Sequence, residues 1–254
     1  MNEPLVSIIT PSYNQAQFLE QTIQSVLGQT YKNIEYFVMD GGSIDGSVEI
    51  IKKYEEKLTY WQSKSDDGQS DAINSAFKKC KGDIIAYINS DDLLMPEAVE
   101  TVVRCFEVNG DYAVVFGICS TIDETGNEIA APQGDHISFN HLLMNGMLPK
   151  IFQPACFFNR KYINREFFLD KNLKYAFDYE LLLMLMKWNT NLFIYKHFAA
   201  YRKHKDAKSL NIKEAYFEKL KVQMRYGKRY TLLWVYRWLK FLISMQLKKF
   251  VKSK

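Results

Sequence analysis

The sequence is poor in cysteine, and Cys80, Cys105, Cys119 and Cys156 are scattered without a C-x-x-C pair among them. That spacing argues against a structural zinc site or a disulfide framework and predicts reduced core thiols. The opening Met1-Asn2-Glu3-Pro4-Leu5 lacks a basic segment followed by a long apolar core, so no export signal is expected and the cytoplasm is the predicted compartment. There is no internal repeat, low-complexity tract or flexible interdomain linker. Long uncharged apolar runs are also missing. The one window long enough to span a bilayer contains Arg237 and Lys240, and central charges cost roughly 2.5 to 3.5 kcal/mol each on insertion.

What is present is a 254-residue chain of ordinary globular composition with a high aromatic share, long enough to bury a substantial α/β core. Its net charge of +4 is unevenly placed: residues 213–254 hold 12 Lys and Arg against 2 acids, whereas residues 1–212 hold 21 against 27. A basic end of this kind suits an anionic partner, with membrane and nucleic acid as the usual candidates.

Leu5-Val6-Ser7-Ile8-Ile9-Thr10 reads as a buried strand stopped by Pro11, and Phe18, Leu19, Ile23, Val26 and Leu27 follow at helical spacing up to Gly28. A second strand, 34–39, runs into Asp40-Gly41-Gly42-Ser43 and a helix carrying Val48, Ile50 and Ile51. A third strand at 58–61, a helix through Ala72, Ile73, Ala76, Phe77 and Cys80, and a fourth strand at 84–88 complete the pattern. Alternating strands and helices imply a mostly parallel sheet. Further strands are expected at 112–122, 155–158 and 192–195, with helices at about 96–106 and 178–188 and a hairpin turn at Asp123-Glu124-Thr125-Gly126.

The polar loops all follow strands, on the sheet edge where open α/β folds bind ligands. Asn89-Ser90-Asp91-Asp92 follows the fourth strand, and hard oxygen ligands there suit a divalent cation with its phosphates. The same acids are also placed to cap the helix opening near Pro96.

Six stretches together carry a family resemblance. They are Val6-Ser7-Ile8-Ile9-Thr10-Pro11-Ser12-Tyr13-Asn14, Gln24 to Tyr31, Asp40-Gly41-Gly42-Ser43-Ile44-Asp45-Gly46-Ser47, Asp67-Gly68-Gln69-Ser70-Asp71-Ala72-Ile73-Asn74, Gly82 to Ala86, and Asn89-Ser90-Asp91-Asp92. In this order they resemble glycosyltransferase family 2. The resemblance implies a GT-A (Rossmann-like) fold over residues 1–212, with a nucleotide-sugar half at 1–110 and an acceptor half at 111–212; charge and apolar spacing mark a basic amphipathic helical tail at 213–254. It also implies an inverting transfer of a sugar, expected from a UDP-sugar, to a glycan or lipid-linked glycan in bacterial surface polysaccharide synthesis. By the same resemblance Pro11, Tyr13, Asp40, Asp67, Gln69, Asn74, Asn89 and Asp91 bind the donor, with Asp40 near the base. Asp91, Asp92 and His204 hold Mn²⁺ or Mg²⁺, which stabilises the diphosphate leaving group. Asn89 stands where many relatives carry another acid, which implies weaker metal affinity.

Phe177-Asp178-Tyr179-Glu180-Leu181 resembles the segment that bears the general base, with Asp178 the first choice and Glu180 the second. A carboxylate there removes the acceptor's proton, although Asp178 is equally placed to cap an apolar helix. Tyr201-Arg202-Lys203-His204 with Lys208-Ser209 resembles the motif that closes over the diphosphate, where Arg or Lys pairs with phosphate and imidazole ligates metal. Gln153-Pro154-Ala155 either borders the acceptor or is a strand-entry turn.

The tail, read as a helix over about 230–251, shows two apolar stripes: Leu232, Tyr236, Leu239, Ile243, Leu247 and Phe250, and nearly opposite them Trp234, Trp238, Phe241 and Met245. One stripe is accounted for by docking on the catalytic domain. For the second, Trp with Arg237, Lys240, Lys248 and Lys249 suits an anionic membrane surface, which places the protein on the inner face of the plasma membrane; a homo-oligomer contact is the alternative. Three other functions compete. A sugar-phosphate nucleotidyltransferase needs a Gly-rich cationic loop after the first strand, and Pro11-Ser12-Tyr13-Asn14 has neither glycine nor cation. A catalytically inactive nucleotide- or glycan-binding partner of a membrane assembly complex is the main alternative. Nucleic-acid binding is disfavoured by opposed aliphatic stripes.

Overall fold

The structure, a computed structural model, describes residues 3–145, 151–163, 169–227, 230, 232–237 and 239–241. Of the tail positions named above, Trp238, Ile243, Met245, Leu247, Lys248, Lys249 and Phe250 lie outside the described residues. The first half alternates as the spacing requires: β1 (Val6–Ser12), α1 (Ala16–Leu27), β2 (Ile34–Asp40), α2 (Ser47–Lys53), β3 (Tyr60–Ser63), α3 (Gln69–Phe77) and β4 (Ile84–Tyr87). These four strands pair in parallel in the order β3-β2-β1-β4. Every residue of β1 and β4 is buried, because helices cover both faces of a parallel sheet and leave no polar side to show.

Contrary to expectation, Pro11 does not end β1, which continues to Ser12. Odd positions of β1 face β4, as Ile9 does in accepting from Ile88 N–H at 2.9 Å, and the β1–β4 register ends at Ile9. The N–H that proline lacks therefore falls where no partner strand remains.

The second half is mixed. A two-residue β5 (Leu93–Leu94) and α4 (Ala98–Val108) lead to β6 (Tyr112–Ile122), β7 (Glu128–Gln133), α5 (Phe139–Asn145), β8 (Cys156–Asn159), α6 (Phe177–Met186) and β9 (Thr190–Arg202). Among the described residues the sheet has nine strands, ordered β3-β2-β1-β4-β8-β6-β9-β5 with β7 on β6. β8 runs antiparallel to both neighbours, and β6 pairs with β9 in parallel. β9 is far longer than the 192–195 segment expected, and its C-terminal end carries Arg202 back to the edge where Asp91 and Asp92 lie.

One core layer packs α1, α2 and α4 on one face of the sheet; the other packs α3, α5 and α6. The helix α7 (Ile212–Tyr226) joins the second layer through Tyr216, Leu220 and Val222. The segment expected to begin a separate tail at 213 is thus packed into the same core as the acceptor half. Residues 232–237 and 239–241 are helical, with Trp234 fully buried and donating Nε1–H to Gly227 O at 3.1 Å. Phe241 stacks on Tyr216 with ring centroids 3.9 Å apart. The Trp234/Phe241 stripe, expected to face lipid, is therefore the docked one. Leu232, Val235, Tyr236 and Leu239 are exposed.

Candidate active site

The loops after β1 and β2 are stitched together. Asn14, in the left-handed region at φ 50°, donates its N–H to Ser43 Oγ at 2.7 Å and accepts from Ile44 N–H at 3.0 Å. Asp40, 1% exposed, accepts through Oδ2 from Gly42 N–H, Ser43 N–H and Ser63 Oγ at 3.0, 2.9 and 2.6 Å, and through Oδ1 from Ser43 Oγ at 2.5 Å. Asp40 thus folds the floor of the loop. Tyr13 stands above it, 63% exposed, free to stack on a planar ligand.

The neighbouring acids divide the work differently from expectation. Asp67 is 83% exposed and lies 3.6 Å from Lys171 Nζ, which bonds Asp71 at 2.6 Å. It points to solvent. Asp66, which the sequence reading passed over, turns inward: a Cβ on Gly41 would lie 3.1 Å from Asp66 Oδ2 and 3.2 Å from Tyr13 Cδ2. Glycine at 41 makes the room that this carboxylate occupies. Gly68 N–H holds Asp66 Oδ1 at 2.8 Å. Burial raises the pKa of Asp66, helped by the negative charges of Asp71, Asp40 and Asp67. The only sequence signal for Asp66 was its place beside Asp67.

Asn74, expected to bind donor, is buried and engaged elsewhere: it donates to Leu169 O and accepts from Leu169 N–H, both at 2.8 Å. It clasps α3 to the segment before α6. Gln69 does face the centre. Its Nε2 donates to Asn89 Oδ1 at 2.5 Å and its Oε1 accepts from Lys208 Nζ at 3.0 Å.

Beyond β4, adjacent aspartates have opposite fates. Asp92 is fully buried; Oδ1 accepts Arg202 N–H at 2.9 Å and Oδ2 accepts Asn89 Nδ2–H at 3.0 Å. Burial, and then the charge of Asp91, raise its pKa well above the usual carboxylate range. With both oxygens engaged inside the protein, Asp92 positions the loop and presents no oxygen to a metal. Asp91 keeps its carboxylate at the surface of the site, with Oδ2 2.9 Å from His204 Nε2. The imidazole packs on Phe18, centroids 4.9 Å apart, and its Nδ1 is buried without a hydrogen-bond partner.

Arg202, expected to reach phosphate, is fully buried. It donates to the carbonyls of Asp91, Asp123 and Glu124 at 2.9, 3.0 and 3.1 Å and to Gln21 Oε1 at 2.7 Å. Its five N–H groups match that cage better than a ligand. The strand-terminal arginine is what hangs His204 opposite Asp91.

Across the site, Asp178 sits in the first turn of α6, half-buried. Its charge bears on buried Tyr87 and Cys156, whose pKa values burial raises first and Asp178 raises further. Phe177, the residue before Asp178, packs on Tyr87 at the end of β4 with ring centroids 6.4 Å apart. Burial raises the pKa of Asp178 itself, opposed by the charges of Lys219 and Lys208. Lys208 thus serves both halves, bonded to Gln69 and facing Asp178. Glu180, the second choice, is buried in an ion pair with Arg225, which also bonds Asp170 at 3.1 Å. That pairing removes it from the site. Gln153 Nε2 donates to Tyr87 O at 2.6 Å, so the Gln153-Pro154-Ala155 turn buttresses the same strand end.

Asp91 and His204 carry donor types that a divalent cation takes. They are one carboxylate and one imidazole nitrogen aimed at each other from residues 113 positions apart, both suitable ligands. Among the described residues no three His, Cys, Asp or Glu side chains converge, so ligand and water oxygens would complete the shell.

The family profile described as "Glycosyl transferase family 2" matches residues 7–210. An uncharacterized glycosyltransferase of Rickettsia typhi is 28% identical over 218 residues, 82% of this chain and 66% of its own length. Chondroitin synthase of Escherichia coli is 29% identical over 72% of this chain and 26% of its own length. The chain spans from about a quarter to about two thirds of the curated relatives it matches. Among solved structures, S. aureus TarS 1–349 in complex with UDP superposes with a TM-score of 0.68 at 16% identity, covering 87% of this chain and 65% of that one. The mannosyltransferase PcManGT from Pyrobaculum calidifontis, in complex with GDP-Man and Mn²⁺, gives 0.61 at 15% identity, covering 82% and 59%. At those identities the likeness shows the fold, that of GT-A glycosyltransferases.

Proposed function

The chain belongs to glycosyl transferase family 2, and on that premise we propose that it is an inverting, metal-dependent glycosyltransferase that moves a sugar from a UDP-sugar to a glycan or lipid-linked glycan. The observation that carries the reading is the Asp91–His204 pair at 2.9 Å, set at the C-terminal edge of the parallel strands. Mn²⁺ or Mg²⁺ held by Asp91 and His204 would neutralise charge developing on the departing diphosphate, worth several kcal/mol. Lys208 adds an ammonium beside the same groups. Tyr13 stacks on the base, and the inward oxygen of Asp66 accepts a base N–H. Asp178 takes the proton of the acceptor hydroxyl as its oxygen attacks the anomeric carbon.

This reading is tested by thermal shift with UDP-, GDP- and dTDP-sugars in the presence of Mn²⁺. A UDP-sugar should give the largest shift, and Asp66→Ala should remove most of it, since loss of one charge-assisted hydrogen bond costs about 1.5 to 3 kcal/mol, or roughly 10- to 100-fold in affinity. A larger shift with a GDP- or dTDP-sugar overturns the choice of base. An unchanged UDP shift in Asp66→Ala removes Asp66 from base recognition.

We further propose that the helical residues 232–237 and 239–241 rest on an anionic membrane surface and bring the site to a lipid-linked acceptor. No helix among the described residues is long and apolar enough to cross a membrane. The outward stripe of Leu232, Val235, Tyr236 and Leu239, in a region with 12 basic residues against 2 acids, has the chemistry of an interfacial helix. Binding to anionic vesicles should fall when Leu232 and Leu239 are both changed to Ser, by about 1.5 kcal/mol per leucine. Unchanged sedimentation would take this face off the membrane. Point substitution is used in place of truncation, because α7, Trp234 and Phe241 all pack into the core.

A further inference from the structure

The turn that precedes α6 is held from outside. Ala176 precedes the helix and supplies no side-chain cap, and the backbone N–H groups of the turn before it need acceptors of their own. Glu218, on α7, provides them for this turn. Its Oε1 accepts Lys174 N–H at 2.9 Å, and its Oε2 accepts Tyr175 and Ala176 N–H at 2.6 and 3.0 Å. Three backbone donors on one carboxylate form a charge-assisted clamp, and Asp178 lies two residues beyond the last of them. The next residue on α7, Lys219, is the largest of the charges that favour the ionised carboxylate of Asp178.

The α7 helix is anchored independently of this clamp, by the packing of Tyr216, Leu220 and Val222 and by Gln223 Nε2 donating to Leu143 O at 2.8 Å. A rigid helix therefore sets the start of α6 from a segment that lies beyond residue 210, where the family match ends.

We propose that Glu218 is a positioning residue for the acceptor-side base: its carboxylate fixes the 174–176 turn and thereby aims Asp178 at the acceptor hydroxyl. The inference rests on the assignment of Asp178 as base. It explains why α7 is part of the catalytic machinery and not the start of an appendage. It also places Glu218 in the mechanism without contact to substrate.

The test is a double-mutant cycle in the full chain, using E218A, E218Q, D178N and E218A/D178N. UDP release with Mn²⁺ is read at high enzyme concentration on the fastest of UDP-glucose, UDP-galactose, UDP-GlcNAc and UDP-GalNAc, alongside UDP affinity by calorimetry. E218A should lower kcat on the order of 10-fold or more, as loss of orientation does, while UDP affinity stays within about twofold. E218Q, which keeps one acceptor oxygen, should fall in between. In the D178N background E218A should add no further loss, since coupled residues are non-additive, and amide exchange at 174–176 should speed up in E218A. Wild-type kcat in E218A, or an equal loss in both backgrounds, overturns the inference. Wild-type turnover in D178N overturns the base assignment instead.

Discussion

Asp178→Asn should lower turnover by about 10² to 10⁴-fold, the usual contribution of a positioned general base, with UDP affinity retained. The amide occupies the same volume but cannot accept the acceptor's proton. The pH profile follows from the environment of Asp178. Burial raises its pKa above the ordinary aspartate value and Lys219 and Lys208 only partly oppose this, so activity should be lost on acidification at a higher pH than for a solvated aspartate. The stability effect has the opposite sign. A carboxyl whose folded pKa is raised favours folding in its protonated form, and its ionised form costs stability as pH rises through the window between the unfolded and folded values. D178N should therefore not lower Tm at neutral pH, which separates lost chemistry from lost fold. A D178N variant that turns over as wild type removes Asp178 from the reaction.

Asp91→Ala and His204→Ala should each abolish the gain in UDP affinity that Mn²⁺ provides and lower turnover by about 10³-fold, corresponding to several kcal/mol of leaving-group stabilisation. Asp92 behaves differently under the same reading. Its oxygens already bond Arg202 N–H and Asn89 Nδ2–H, so Asp92→Ala leaves the buried Arg202 N–H unmatched, at about 1 to 3 kcal/mol, and the half-buried Asn89 amide without its partner. Its first symptom should be a lower Tm. Calorimetric titration of UDP with Mn²⁺ and with EDTA distinguishes the two cases. An Mn²⁺ effect preserved in Asp91→Ala would remove the proposed ligand pair.

The parallel half was legible because buried parallel strands are continuous apolar runs that no polar alternation obscures. The second half was less so. β5 is two residues long and gives no pattern, and of the 13-residue β9 only Leu192-Phe193-Ile194-Tyr195 reads as an apolar run, because Lys196 and His197 interrupt it before its buried end. The site was legible as a set of loops on one sheet edge, and less so as individual atoms. Asp66 and Asp67 are indistinguishable as letters; which of them turns inward depends on the missing side chain of Gly41. Arg202 looked like a phosphate ligand because a cation beside a histidine says nothing of the carbonyls that cage it. Asp91 and Asp92 are equivalent as letters because neighbouring acids share a composition and not a direction. In the tail, Trp234 and Phe241 lie on the docked face and not the outward one expected, since only packing shows that Trp234 fits beside Gly227 and Tyr216 stacks on Phe241.

Asn89, in place of an acid, and the sealed Asp92 leave Asp91 as the single carboxylate available to a cation in that loop. This sharpens the choice between an active transferase and an inactive binding partner. The most direct test is UDP release from the four UDP-sugars by wild type, with Mn²⁺ and with EDTA, beside D178N. For an active transferase, wild type turns over with Mn²⁺ and little with EDTA, and D178N loses roughly 10² to 10⁴-fold. Binding of UDP-sugars with no turnover above D178N under any of these conditions would contradict that reading and identify the chain as a nucleotide-sugar-binding partner.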